Sequence, residues 1–416
     1  MKQNKDYIKL DNGLRVLLHR DTSTPLVAVN MVYDVGSRDE SPDQTGFAHL
    51  FEHLMFGGSA HIPVFDIPLQ EAGGENNAFT SFDYTNYYMT LPARNIETAF
   101  WLESDRMGWL DVSETALEVQ RKVVVEEFRQ RCLNQPYGDA WHILRPMAYK
   151  VHPYMWPIIG KEIKHIENAR QEDVRDFFKR YYNPSNAILS VAGNINPDNV
   201  MELISKWFGD IPSGMASNRS IQKEPIQTEE CRKIHYGDVP VPAMYKVFHM
   251  PGRNEQEYMA CDLLSDLLSG GRSSRLFQRL TKEKQIFSEI NAYITGDIDP
   301  GLFVVYGKPA ENVKIEDAEK AVLDELYEMA SAVPERELEK VKNKFESNFL
   351  IEQMQVSSKA MALGYYTLLG DPTRLNTEVE NYRSVTAGSI AEMAGSLFKP
   401  ENSSTLWYLP GSNKEQ

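Results

Sequence analysis

Residues 49–58 read HLFEHLMFGG, and residues 262–271 read DLLSDLLSGG. Each is an apolar segment with polar groups at its first, fourth and fifth positions and two glycines at its end, so one helix is written twice in the chain. Three further pairs keep the order. Asn77-Ala78-Phe79-Thr80 returns as Asn291-Ala292-Tyr293-Ile294-Thr295, and Glu126-Glu127-Phe128 aligns with Asn343-Lys344-Phe345. Pro184-Ser185-Asn186, ahead of AILSVAG, returns as Pro400-Glu401-Asn402 ahead of SSTLWYL. The offsets run only from 213 (262 minus 49) to 217 (343 minus 126), and four ordered matches at nearly one spacing mark an internal duplication. The homologous halves are placed at residues 1–212 and 229–416. Residues 213–228 read as a linker, inside a stretch from Gly209 to Glu230 rich in Ser, Pro, Gly and charge and without apolar periodicity.

In the first half, LRVLLHR and LVAVNMVYDV read as strands by their β-branched content, with Asp11-Asn12-Gly13 as a hairpin turn ahead of them. NAFTSF and YTNYYMTLP read as a further strand pair. Helical patterns cover Ile96 to Met107, Ser113 to Leu133 and Gln171 to Tyr182, with Ser113 as an N-cap. This segregated order predicts an α+β fold, each half a mostly antiparallel β-sheet with its helices packed on one face.

With 416 residues, 42% hydrophobic and 25% charged, the chain has the composition of a globular protein of two domains. The formal net charge of −15 and the absence of a lysine-arginine block disfavour nucleic acid and suit basic peptides. No apolar run is long enough for a membrane span. The N-terminus MKQNKDYIKLDNG lacks the apolar core of a secretory signal, and the three cysteines form no C-x-x-C pair, so a cytoplasmic protein is expected.

His49, Glu52 and His53 stand in the order H-x-x-E-H. On a helix, positions i and i+4 share a face, so both imidazoles can meet one ion, and Glu52 lies near enough to reach a water on it. A helix with two unrelated histidines carries the same letters. Against that stands a segment almost wholly apolar between its polar groups, which is costly unless those groups find partners. Catalytic zinc needs a third protein ligand and an open position.

The order is the inverse of H-E-x-x-H. With NGLRVLLHRD, GFAHLFEHLMFGG, NAFTSFDYTNYY and the degenerate second half, the chain resembles the pitrilysin/insulinase family of zinc metallopeptidases along essentially its whole length. The resemblance implies one zinc per chain held by His49, His53 and a glutamate some 75 residues downstream on a second helix, with Glu52 as the catalytic base. Glu127 lies 74 residues after His53 (127 minus 53) in RKVVVEEFRQ and matches that ligand position; periodicity alone leaves Glu126 open. The equivalents in the second half are Asp262, Ser265, Asp266 and Lys344, a set without histidine and with a lysine that repels zinc.

The resemblance also implies peptide substrates that add as a strand along Asn77, Ala78 and Phe79. Asn77 reads equally as a turn residue, and Phe79 as ordinary strand packing. Two features depart from the family pattern. Gln120 stands where a second glutamate is usual and keeps only an uncharged role in orienting a ligand. Leu280 and Phe287, in LTKEKQIF, stand where many members have an arginine and a tyrosine that grip the substrate; nearby Arg275 and Arg279 read as solvated helix charges. Members of this length resemble half of a clam-shell enzyme, so the resemblance implies a homodimer, or a heterodimer with a family subunit carrying that arginine-tyrosine pair. The alternative is a catalytically weak scaffold or binding subunit of the same fold. S-ribosylhomocysteine cleavage shares the motif but belongs to shorter, unduplicated chains.

Overall fold

The computed structural model describes residues 6–214 and 219–411. Eleven strands among them form two sheets. The first sheet has the order β1 (Asp6–Lys9), β2 (Arg15–Arg20), β6 (Ala187–Gly193), β3 (Leu26–Tyr33), β5 (Thr85–Pro92) and β4 (Glu75–Thr80). The second has the order β7 (Cys231–Gly237), β11 (Ser403–Pro410), β8 (Ala243–Met250), β10 (Gly301–Pro309) and β9 (Phe287–Ile294). Replacing β2, β6, β3, β5 and β4 by β7, β11, β8, β10 and β9 turns one order into the other. The single parallel pair also matches, β2 with β6 and β7 with β11, every other pairing being antiparallel. The duplication read from the sequence is therefore a duplication of topology, and the sheets are mixed, as a fold of the α+β class allows.

Local chemistry accounts for the elements. Asn12 tightens the turn between β1 and β2 by accepting from Leu14 N and donating to the carbonyls of Phe208 and Ile211. Ser113 caps the helix Glu114–Phe128 through its Oγ and Ala116 N, 3.2 Å. The predicted continuation of that helix to Leu133 exists, but as a π-helical turn, Arg129–Leu133.

Alternation along β3 divides its side chains between two buried faces. Val27, Val29, Met31 and Tyr33 enter the large core with Leu50, Phe51, Phe100 and Val124 from the helices. Ala28 faces the other way and packs on Ala192 and Ala360. Ala360 belongs to the helix Val356–Leu368, which comes from the second half of the chain. Gly364 of the same helix lies so close to the sheet that a Cβ there would sit 2.8 Å from Val32 Cγ2, and Ser190 Oγ donates to Ala360 O at 2.7 Å.

The second sheet takes a helix of the first half in the same manner. His249 on β8 donates from Nε2 to the carbonyl of Ala148, which ends the helix Ala140–Ala148, at 2.8 Å, and Tyr408 on β11 donates to Asp139 at 2.8 Å. The compact units are accordingly residues 1–128, 156–221 and 350–376 for the first, and 129–155, 222–349 and 377–416 for the second. This differs from contiguous halves with a linker at 213–228, and from helices on one face only. The central strands of each sheet are buried on both faces, and the second face is covered by one helix of the other half. Part of the expected linker is anchored: Arg219 is paired with Asp34 and Asp39 of the first unit, while residues 215–218 lie outside the described residues.

Candidate metal centre

The helix Phe47–Leu54 is fixed from below and from its N-terminus. Phe51, fully buried, stacks on Phe177 and Tyr182 with ring centroids 5.0 and 4.9 Å away; truncating such a side chain costs about 3–5 kcal/mol. Gly46 enters the helix at φ 87°, and a Cβ there would meet Ile159 O at 2.8 Å, so only glycine fits. No side chain of the helix start caps it. Glu40 does so from the preceding loop, accepting from Gly46 N at 2.9 Å and Ala48 N at 2.8 Å. Burial pushes the Glu40 carboxyl up to about 8, against the hydrogen bonds from Ala48, Gly46 and Trp156 that favour its charge.

One turn apart on this helix, His49 and His53 set their rings edge to face, centroids 4.9 Å apart. Glu127, near the end of the packed helix Glu114–Phe128, meets both. Its Oε2 lies 3.5 Å from His49 Nε2 and 3.2 Å from His53 Nε2. Among the described residues these three form a group able to hold a metal, one donor atom from each lying within 4.8 Å of the others. Glu126, which periodicity left open, is exposed while Glu127 is half-buried among the imidazoles. Two nitrogens and one carboxylate oxygen converging at a partly open place are the donor chemistry of a catalytic zinc site, so the residues present fit that ion.

Glu52, on the same turn, accepts a short hydrogen bond at Oε2 from Thr80 Oγ1. Thr80 closes β4, the edge strand, so the strand expected to receive substrate also holds the expected base. Sequence reasoning gave Thr80 no role; a threonine inside N-A-x-T was the available signal. Below, burial holds the phenols of Tyr87 and Tyr182 well above the usual tyrosine range, and the charge of Glu52 pushes the same way.

The remaining expected residues are placed less directly. Ala78 lies on the face of β4 that carries Thr80 and packs against the core, whereas Asn77 and Phe79 alternate to the opposite, exposed side. Asn77 Oδ1 accepts from Ala78 N at 2.8 Å, and Phe79 meets Tyr84 edge to face. These side chains are not brought to the metal group; what β4 offers is a backbone edge, paired with β5 alone among the described residues. Gln120 sits two turns before Glu127 with its amide nitrogen near Gly57, and no hydrogen bond from it to His49, His53 or Glu127 exists among the described residues.

In the second unit Leu280 and Phe287 are core residues, 0% and 2% exposed. Arg275 and Arg279 are not solvated helix charges: Arg275 is buried and pairs with Glu337 at 2.8 Å, and Arg279 pairs with Glu325 and Glu328. No helix among the described residues is long and apolar enough to cross a membrane.

Residues 15–144 match the family model described as insulinase (peptidase family M16), and residues 168–345 match the one described as peptidase M16 inactive domain. The zinc protease PqqE of Helicobacter pylori is 29% identical over 410 residues, covering 97% of this chain and 92% of that protein. The crystal structure of a protease from Helicobacter pylori superimposes with a TM-score of 0.91 at 29% identity, covering 98% of this chain and 100% of the other. A peptidase M16 inactive domain from Pseudomonas fluorescens shares the fold at TM-score 0.88 and 16% identity, over 99% and 100% of the two chains. Two models of one family in sequence order, together matching most of residues 15–345, mean that this chain belongs to the pitrilysin/insulinase family of metallopeptidases, peptidase family M16.

Proposed function

We propose that this chain is a zinc-dependent endopeptidase, with one zinc per chain, that hydrolyses short or unfolded peptides. The observation that carries the reading is the meeting of His49, His53 and Glu127 beside a Glu52 held by the edge strand. When bound there, zinc supplies a Lewis acid that makes water nucleophilic near neutral pH and polarises a peptide carbonyl. The chain's own residues do the rest. An extended peptide adds as a strand to the open edge of β4, its main chain pairing with residues 77–80 with little demand on sequence. Thr80 occupies Oε2 of Glu52, which leaves Oε1 to take a proton from water and return it to the leaving amine nitrogen. Replacing Glu52 by Gln is expected to leave zinc content near that of the parent and to abolish hydrolysis, whereas His53→Ala loses both. Hydrolysis retained by Glu52→Gln would end this reading.

The active form in this reading is a dimer enclosing a chamber, and the burial of Leu280 and Phe287 in the second unit supports taking the gripping arginine and tyrosine from a different family subunit. Light scattering and peptide assays of the chain, alone and with such a subunit, test this; full activity from a monomer removes the chamber, and from a homodimer only the heterodimer. The second reading, a catalytically weak scaffold or binding subunit, is favoured by those same two residues and by Gln120. A cytoplasmic location belongs to the first reading and is supported by the lack of a disulfide among the described residues.

A further inference from the structure

Three of the six tryptophans of the chain meet at one place on the first unit. Trp101, Asp105 and Trp109 recur at intervals of four along the helix Ile96–Trp109 and so form one stripe. Trp207 and Asp210 enter from the end of the helix Pro197–Phe208, and His61 from the loop after the metal-site helix. Together they line a surface cavity of about 280 Å³. Trp109 is 48% exposed, although an indole in water forgoes much of its burial energy, while Trp101 and Trp207 are partly buried against the core, and aromatic side chains gathered at one surface cavity mark an interaction site.

The polar groups say what kind of ligand fits. Asp105 is buried and accepts from Ser59 Oγ, from His61 N and from His61 Nδ1. The contact with Asp105 fixes the ring of His61, whose side chain is largely exposed at the cavity. Asp210 adds an exposed carboxylate at the rim. One of the indoles already serves as a platform for a cation: Lys206 Nζ stands 4.9 Å from the Trp207 ring centroid while bound to Glu97. Flat aromatic faces beside an exposed carboxylate suit a planar cation with several N–H donors better than a compact ammonium.

We propose that this cavity binds an arginine side chain presented by a partner polypeptide. The guanidinium stacks on the indoles of Trp101 and Trp109 and donates to Asp210. An acidic chain of net charge −15 favours a basic partner in the same sense.

The test uses the full chain with 15N-labelled tryptophan, titrated with acetyl-Gly-Arg-Gly-amide and with the citrulline analogue, which keeps the shape and loses the charge. The arginine peptide is expected to move the indole N–H signals of Trp101, Trp109 and Trp207 saturably, leaving Trp141, Trp156 and Trp407 in place. The citrulline peptide should bind at least about tenfold more weakly. Asp210→Asn should weaken the arginine peptide several-fold, with the three distant indole signals unmoved as the sign of an intact fold. Absence of saturable movement, equal binding of citrulline, or an unchanged Asp210→Asn each overturns the proposal.

Discussion

Lys344 Nζ lies 2.9 Å from Asp266 Oδ1 in the second unit, joining the two helices whose counterparts in the first unit bring Glu127 to His53. Where one copy gathers two imidazoles and a carboxylate, the other carries its own cation on a side chain. The ammonium occupies the place in the charge pattern that the proposed metal ion would have in the first copy. The pair is about a third exposed on the aspartate side and more on the lysine side, so it stabilises by no more than about 1 kcal/mol. Lys344→Ala should therefore lower stability by at most that amount and leave zinc at one per chain, while His53→Ala should lower zinc to none. Denaturant titration together with metal analysis of the purified variants checks both halves of the expectation.

Thr80 gives the peptidase reading a second, independent handle. A hydrogen bond to a charged acceptor is worth about 1.5–3 kcal/mol, and losing it lets Glu52 turn away from the position in which Oε1 meets water. Thr80→Val should then lower kcat by at least about tenfold while KM and zinc content change little, and Thr80→Ser should recover most of the rate. A uniform loss in Thr80→Val and Thr80→Ser alike, or a change in KM alone, would assign Thr80 to strand packing instead.

Glu40 predicts a pH dependence of stability. Its carboxyl is raised from 4.5 to about 8, first by burial, so the folded chain keeps a proton that the unfolded chain gives up. The stabilising contribution is fully present below about 4.5 and is lost as pH rises through about 8, at a slope of up to about 1.4 kcal/mol per pH unit. Glu40→Gln removes the titration. The difference in unfolding free energy between parent and variant should therefore drift against the parent between pH 5 and 8, and a difference flat across that window would contradict the raised value.

Much of this was legible in the residues, and the division follows physical range. The elements and the fold class were readable because strand alternation, the Asp11-Asn12-Gly13 turn and the Ser113 cap act over a few positions, and because writing the pattern twice gave each half a control. His49 and His53 were readable for the same reason, four residues being one helical turn. Periodicity could not separate Glu127 from Glu126, since the two differ by a rotation about the helix axis and not by chemistry; the family resemblance singled out Glu127, and the docked helix Glu114–Phe128 leaves Glu126 exposed and Glu127 beside the imidazoles. Thr80 escaped because its bond to Glu52 spans 28 residues of chain. The buried state of Arg275 escaped too, since a charge alone does not reveal that Glu337, 62 residues on, will meet it. The small residues Ala28, Ala192, Ala360 and Gly364 were visible, yet nothing local says that a helix of one half will press on the sheet of the other.

That exchange of helices carries the last prediction, which concerns fragments 1–212 and 213–416. Each contains a full set of strands, so contiguous domains would fold apart. Each nevertheless lacks the helix that covers the second face of its sheet. Without Val356–Leu368, the first sheet presents Ala28, Asn30, Val32, Ser190 and Ala192 to water, and Ser190 loses the Ala360 carbonyl as its acceptor. The same fragment carries Ala140–Ala148 with no sheet to receive it, so apolar surface is exposed twice over. Neither fragment alone should show cooperative unfolding or hold zinc tightly, and mixing the two should restore both, with one zinc per pair. Near-ultraviolet circular dichroism, thermal unfolding and metal analysis of the separate and mixed fragments measure this. A first fragment that unfolds cooperatively and binds zinc by itself would show that the exchanged helix covers the sheet without being required for it.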